Sequence, residues 1–184
     1  FLGYNADQTK LISFLKKKKF KVNQLGQKQI NIKNIDKDTL LISFGYKKII
    51  KKHFLEKLKR PPINIHISYL PYNRGSHPNY WSFIDKSPSG VSIHEINSKI
   101  DQGNIIFQKK IKFKSLKTLT FFNTYKILKK EAENLFIRHF RSLVNYNYKT
   151  KKKISNKGSF HKKSDLPIGI NWNQNIYKYI KKLN

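Results

Sequence analysis

The chain contains no cysteine. That excludes disulfides, thiolate metal ligands and a cysteine nucleophile, and it fits a cytoplasmic protein. Alanine is nearly absent, confined to Ala6 and Ala132. No apolar run approaches the roughly 18 residues that span a membrane, so no membrane partner is expected. No basic-then-apolar leader is visible, and no P-loop or Gly-x-Gly-x-x-Gly phosphate cradle occurs. No His/Asp/Glu spacing suggests a metal. The chain opens at Phe1-Leu2-Gly3 rather than at methionine, so a few native residues are expected to be missing from the numbered sequence.

Acidic residues are also scarce. There are 10 Asp+Glu against 39 Lys+Arg, a formal charge of +29. Such a charge invites a polyanion-binding reading. All but four of the basic residues are lysine, however, and they spread along the chain, as in Lys16 to Lys19, Lys47 to Lys52 and Lys151 to Lys153. Abundant Asn, Ile, Phe and Tyr suit an A/T-rich coding sequence, which favours lysine whatever the function. A binding surface would be better supported by clustering on one element.

At 184 residues the chain is one domain by prior. Asp7 is a candidate helix cap before the stripe of Leu11, Ile12 and Leu15, which runs to about Lys18. Phe20 to Val22 could begin a strand, and Gln27 to Ile35 alternates weakly around Ile30 and Ile32. Thr39 to Phe44 is a nearly continuous apolar run closed by Gly45, as in a strand buried on both faces. Ile50, Phe54 and Leu58 predict a helix from Tyr46 to Arg60, ended by Pro61-Pro62. Further on, a short helix opens at Ser76-His77-Pro78, and strands follow at Val91 to His94 and Asn104 to Phe113. A long helix from Thr118 to about Val144 carries a three-and-four stripe. Residues 1–145 read as a catalytic domain. Residues 146–184 read as a basic linker, lysine-rich and mobile to Lys163, and a tail with a short helix near Ile176 to Leu183.

The most informative stretch is Ile63 to Gly75. Its first six residues alternate, with Ile63, Ile65 and Ile67 on one side and Asn64, His66 and Ser68 on the other. Asn64 and His66 then stand roughly 7 Å apart, two strand steps. A half-exposed edge strand would show the same alternation. The stretch continues, though, as Asn-x-His-x-Ser-x-Leu-Pro-x-x-Arg-Gly, and polar groups at a strand's C-terminal end are where open α/β sheets put ligands. A second block follows, Gly90-Val91-Ser92-Ile93-His94 and then Asp101-Gln102-Gly103-Asn104-Ile105-Ile106.

Together these blocks, from Thr39 to Phe107, resemble the folate-dependent formyltransferase family. That family includes methionyl-tRNA formyltransferase, glycinamide ribonucleotide transformylase and the sugar N-formyltransferases. The resemblance implies an α/β fold: a Rossmann-like, open, mostly parallel sheet with flanking helices. It implies N10-formyltetrahydrofolate as formyl donor and a catalytic trio at Asn64, His66 and Asp101. Formyl transfer passes through an oxyanion, which needs a hydrogen-bond donor, a proton shuttle and a partner that orients the shuttle. Asn64 is assigned to the oxyanion, His66 to proton transfer and oxyanion contact, and Asp101 to orienting His66 and relaying the proton. Taken alone, Asp101 could be an ordinary turn residue before glycine. Folate contacts are implied at Phe44, Gly45, Tyr46, Ile49, Ile50, Leu70, Pro71, Lys99 and Ile100, with Ile49 and Ile50 equally readable as helix core. Substrate contacts are expected at Ser68, Arg74, Gly75 and His77. His94 reads as a satisfied structural histidine.

The acceptor is less specified. The first loop, Gly3 to Asp7, lacks the Gly-Ser-Asn phosphate loop of the glycinamide ribonucleotide enzymes. Arg-Gly-x-x-Pro-x-x-Trp, Arg74 to Trp81, is similar to the tRNA and sugar branches. The tRNA enzymes carry a further C-terminal domain, for which this sequence leaves no room. The favoured acceptor is therefore the amine of a sugar nucleotide. Methionyl-tRNA and a catalytically silent binding module are the alternatives, and a homodimer is compatible with the sequence. Asn171-Trp172 stands where the family often has Asp-Trp, which leaves the tail register open.

Overall fold

The computed structural model describes residues 1–31, 35–36, 38–151 and 158–183. Its central sheet has five strands: β1 (Leu2–Gly3), β2 (Ile42–Phe44), β3 (Ile63–His66), β5 (Gly90–Glu95) and β6 (Ile105–Lys110). Their spatial order is β1-β2-β3-β5-β6. The first three are parallel; β5 runs against both β3 and β6, so four of the five strands point the same way. This is the expected open α/β sheet.

The isoleucine face of β3 supplies the core. Ile63, Ile65 and Ile67 are buried with Val91, Ile93 and the helical residues Leu128, Ala132, Leu135 and Phe136. Those last four lie on α4 (Phe121–Arg138), which covers one face of the sheet. Apart from the small Ala132, burying each of these side chains is worth about 1.5–3 kcal/mol. Helix α1 (Lys10–Lys17) packs Leu11, Ile12 and Leu15 into the same core. Its cap is Thr9 rather than Asp7: the Thr9 hydroxyl accepts from the Leu11 amide at 3.3 Å.

Several expected boundaries move for identifiable reasons. The helix expected over Tyr46 to Arg60 is a single turn, α2 (Lys52–Leu55), without a side-chain cap. The preceding loop is held by tertiary bonds instead, from the Lys47 amide to Gln27 Oε1 at 3.0 Å and from the Tyr46 hydroxyl to Lys28 O at 2.9 Å. Phe20 to Val22 is not a strand, because β1 meets only an isolated bridge from Leu2 to Gly26 on that side. The long helix breaks at His139, where α5 (Phe140–Val144) begins. The His139 ring stacks on Phe107 with centroids 3.7 Å apart. Ile32, part of the weak alternation, lies outside the described residues, as does most of Lys151 to Lys153.

Beyond residue 145 the chain returns to the fold. Lys151 bridges to Ile105. A two-residue strand, β7 (Phe160–His161), pairs in parallel with β4 (Arg74–Gly75). Helix α6 (Ile176–Leu183) buries Ile176 beside Tyr80 and Phe83 of α3 (Pro78–Ile84). Residues 152–157 of the expected linker lie outside the described residues. No helix among the described residues is long and apolar enough to cross a membrane.

Candidate active site

At the C-terminal edge of β2 and β3 a cavity of about 1000 Å³ opens. That is at the upper end of small-molecule sites. Asn64, His66 and Asp101 all line it. Asn64 and His66 come from β3. Asp101 comes from the turn after β5, with a left-handed backbone at φ 49°. A non-glycine residue there costs of order 1–3 kcal/mol, so the surrounding turn must hold it. Gly103 permits the turn, since a Cβ on it would lie 1.7 Å from Glu95 O.

Asp101 is the hub. Its Oδ2 accepts the Gly75 amide at 2.8 Å and lies 3.6 Å from His66 Nε2. Its Oδ1 accepts the Asn64 carboxamide at 3.2 Å and lies 3.5 Å from His94 Nε2. Burial works against ionisation of this carboxyl. The imidazoles of His66 and His94 and the Gly75 amide more than offset that, and hold it well below the usual carboxylate range. Burial pushes the His66 imidazole down, with the Asp101 carboxylate opposing and His94 adding to the effect. His66 Nε2 also lies 3.4 Å from Asn73 O. Its two neighbours there, a carboxylate and a carbonyl, only accept, so Nε2 carries the hydrogen. In the uncharged ring Nδ1 then holds the lone pair, free to take a proton.

Gly75 reaches Asp101 because β4 is clamped from the tail. The Arg74 amide donates to Ser159 O at 3.0 Å and the Ser76 amide to His161 O at 2.9 Å. Gly75 itself has φ 86°, and a Cβ on it would lie 2.3 Å from His161 O. His161 is fixed in turn: its ring stacks on Trp81 at 4.0 Å and its Nε2 lies 2.8 Å from Asp85 Oδ2.

Of the residues expected to hold folate, Phe44, Gly45, Tyr46, Ile49, Ile50, Lys99 and Ile100 line the cavity. Ile49 is 64% exposed and Ile100 44% exposed, two apolar side chains left facing open space. Ile49 and Ile50 lie in the loop before α2 rather than on a helix, and Ile50 is at the same time buried against Leu2, Leu41 and Phe54. Leu70 and Pro71 do not line the cavity. Leu70 is buried, its amide on Ser92 Oγ and its carbonyl accepting from Gln108. Of the expected substrate contacts, Gly75 and His77 line the cavity, whereas Ser68 and Arg74 do not. The Ser68 hydroxyl closes the loop onto Tyr72 O, and Arg74 Nε donates to Ser159 O at 3.2 Å. His77, at φ 52°, stacks on Trp172 with centroids 5.5 Å apart.

Two further groups line the cavity. His94 belongs to the polar cluster, 3.1 Å from Asn64 Nδ2. The alternation of Val91 and Ile93 against Ser92 and His94 puts His94 on the polar face, but only the antiparallel register of β5 on β3 places it opposite Asn64. The second group is the tail itself, whose Phe160, His161, Lys162, Lys163 and Trp172 line the cavity.

Residues 3–139 match the formyl transferase family, and the chain belongs to that family. The bifunctional polymyxin resistance protein ArnA of Wigglesworthia glossinidia brevipalpis is 31% identical over 198 residues, covering 97% of this chain and 29% of that protein. The methionyl-tRNA formyltransferase of Borreliella afzelii (strain PKo) is 39% identical over 92 residues, covering 48% of this chain and 29% of that protein. The chain thus spans less than a third of either curated relative. Among solved structures, the formyltransferase PseJ from Anoxybacillus kamchatkensis, in complex with UDP-4,6-dideoxy-4-formamido-L-AltNAc and tetrahydrofolate, matches with a TM-score of 0.86 at 32% identity. That match covers 100% of this chain and 97% of PseJ.

Proposed function

We propose that this protein transfers a formyl group from N10-formyltetrahydrofolate to the primary amine of a nucleotide-linked amino sugar, in the cytoplasm. The convergence of Asn64, His66 and Asp101 on one cavity carries the reading. The likeness to PseJ along nearly its whole length, with a formamido-sugar nucleotide and tetrahydrofolate bound there, supports the substrate class.

The cavity suits both ligands. Exposed Ile49 and Ile100 offer apolar walls for a flat heterocycle, beside backbone groups of residues 96–100. Lys47, Lys162 and Lys163 bring positive charge to the same cavity, which favours a diphosphate. Bound N10-formyltetrahydrofolate supplies the formyl carbon: its bond to N10 breaks as the bond to the amine forms, and the proton lost by the amine ends on N10. His66 takes that proton at Nδ1 and, once charged, donates a hydrogen bond to the developing oxyanion. Asp101 keeps the Nε2 hydrogen of His66 in place and stabilises the charged ring.

The test is to mix the protein with N10-formyltetrahydrofolate and a panel of amines and follow free tetrahydrofolate. Release with amino-sugar nucleotides is expected. Release only with methionyl-tRNA would move the acceptor to the tRNA branch, towards which the charge of +29 points. No release with any amine would overturn the enzyme reading in favour of a silent binding module.

A further inference from the structure

The loop that follows β3 presents two backbone groups to His66 and Asp101. The Asn73 carbonyl lies 3.4 Å from His66 Nε2, and the Gly75 amide donates to Asp101 Oδ2 at 2.8 Å. Asn73 and Gly75 both have left-handed backbones, at φ 52° and 86°. Residues in that conformation are held by their surroundings, so the aim of this loop depends on outside partners.

Those partners converge on one residue of the tail. Ser159 Oγ accepts from the Asn73 amide at 2.9 Å and donates to Asn73 Oδ1 at 2.9 Å. A hydroxyl has one hydrogen and two lone pairs, so it makes both bonds at once. The Ser159 carbonyl accepts from the Arg74 amide at 3.0 Å and from Arg74 Nε at 3.2 Å. The other end of the Asn73 side chain, Nδ2, donates to Ser87 Oγ at 2.7 Å, and Asn73 is 1% exposed. Gly158 lets the tail lie this close, since a Cβ on it would stand 2.1 Å from Pro71 O.

We propose that Ser159 is a positioning residue for formyl transfer: by gripping Asn73 and Arg74 it aims the Asn73 carbonyl at His66 and the Gly75 amide at Asp101. The inference rests on the formyl-transfer reading. The tail then does more than line the cavity. It sets the geometry of the two side chains that handle the proton, and a misplacement of about 1 Å in such a site costs about 100-fold in rate.

Ser159→Ala removes both hydroxyl bonds and leaves the carbonyl of Ser159 in place. It is expected to lower kcat about 10- to 100-fold, with KM for the formyl donor unchanged, because Ser159 touches neither Ile49 nor Ile100. Ser159→Thr keeps the hydroxyl and should keep the parental kcat. The pH profile separates this from general loosening. Burial disfavours the charged His66 ring and His94 adds to that, whereas the Asp101 carboxylate and the Asn73 carbonyl favour it. His66 takes a proton in the reaction, so kcat falls on the acid side as the ring becomes charged in advance. Freeing the Asn73 carbonyl in S159A moves that acid limb to lower pH; a merely structural loss lowers the plateau and leaves the limb in place. Parental kcat in S159A, an unmoved limb, or an equal loss in S159T overturns the proposal.

Amide hydrogen exchange in the parent needs neither activity nor a variant. The Arg74 and Ser76 amides donate to the tail, at Ser159 O and His161 O, whereas the Gly75 amide donates to Asp101. A loop set by the tail opens as one unit, so the three amides should show equal protection. Gly75 protected well beyond its two neighbours overturns the proposal. Equal protection in a parent that releases no tetrahydrofolate with any amine would sink the formyl-transfer reading and leave the Ser159 grip standing.

Discussion

Replacing Asp101 by asparagine alters four contacts at once. The carboxylate accepts from the Gly75 amide at 2.8 Å and the Asn64 carboxamide at 3.2 Å, and it faces Nε2 of His66 at 3.6 Å and of His94 at 3.5 Å. Asparagine has one acceptor oxygen and one NH2, so its NH2 must face a donor on one side. Leaving a buried donor unpaired costs about 1–3 kcal/mol, which for a chain of this size lowers Tm by about 2–4 °C per kcal/mol. The catalytic loss is separate. The Asp101 charge opposes the burial that pushes His66 down, so Asp101→Asn makes the His66 imidazolium harder to form when it is needed. We expect kcat to fall about 100- to 1000-fold, or about 2.7–4 kcal/mol, comparable to removing one oxyanion donor. Tetrahydrofolate release under saturating donor and acceptor measures the first effect, and thermal melting followed by circular dichroism measures the second. A variant that keeps more than about a tenth of the parental kcat has lost under 1.4 kcal/mol, and would refute the role given to the carboxylate.

Other outcomes follow from the same contacts. Gly75→Ala forces a Cβ to 2.3 Å from His161 O at φ 86°, so it should destabilise the fold by at least about 1–3 kcal/mol and slow turnover together, read by melting and kcat. Ile49→Ala with Ile100→Ala should raise KM for the formyl donor roughly tenfold and leave kcat near the parental value, since both remove apolar wall rather than chemistry. Acid should destabilise the fold in two windows. Burial lowers the His66 pKa, so the unfolded chain binds that proton more tightly and stability drops as pH falls below the ordinary histidine value of 6.5. The Asp101 pKa is also lowered, so its contribution is present above 3.8 and is lost as pH falls below it. Melting temperature against pH should show both declines, and His66→Gln should shrink the first without removing the second.

Strand β3 is legible in the sequence because its pattern is local. Three isoleucines alternating with Asn64, His66 and Ser68 predict both the core face and the polar face, and the structure places Ile63 and Ile65 almost wholly out of solvent. The strands at Gly90–Glu95 and Ile105–Lys110 and the helices at Pro78–Ile84 and Ile176–Leu183 carry equally local signals. The errors lie where distant contacts decide. Tyr46 to Lys51 has helical spacing, yet bonds to Gln27 and Lys28 hold it as the loop that lines the cavity. His139 interrupts a continuous apolar stripe because it stacks on Phe107, a residue of β6. His94 is the buried, satisfied histidine that its alternation suggests, but alternation gives its face and not its neighbour, which the register against β3 supplies. Ser68, Leu70, Pro71 and Arg74 sit inside the motif and build the loop beside the cavity rather than its wall.

The most direct measurement mixes the full chain with N10-formyltetrahydrofolate and a nucleotide-linked amino sugar and follows the acceptor by mass spectrometry. The account predicts that the acceptor gains one formyl group in step with tetrahydrofolate release, and that His66→Ala abolishes both. An unchanged acceptor across the amino-sugar panel, with a correctly folded protein, would contradict it.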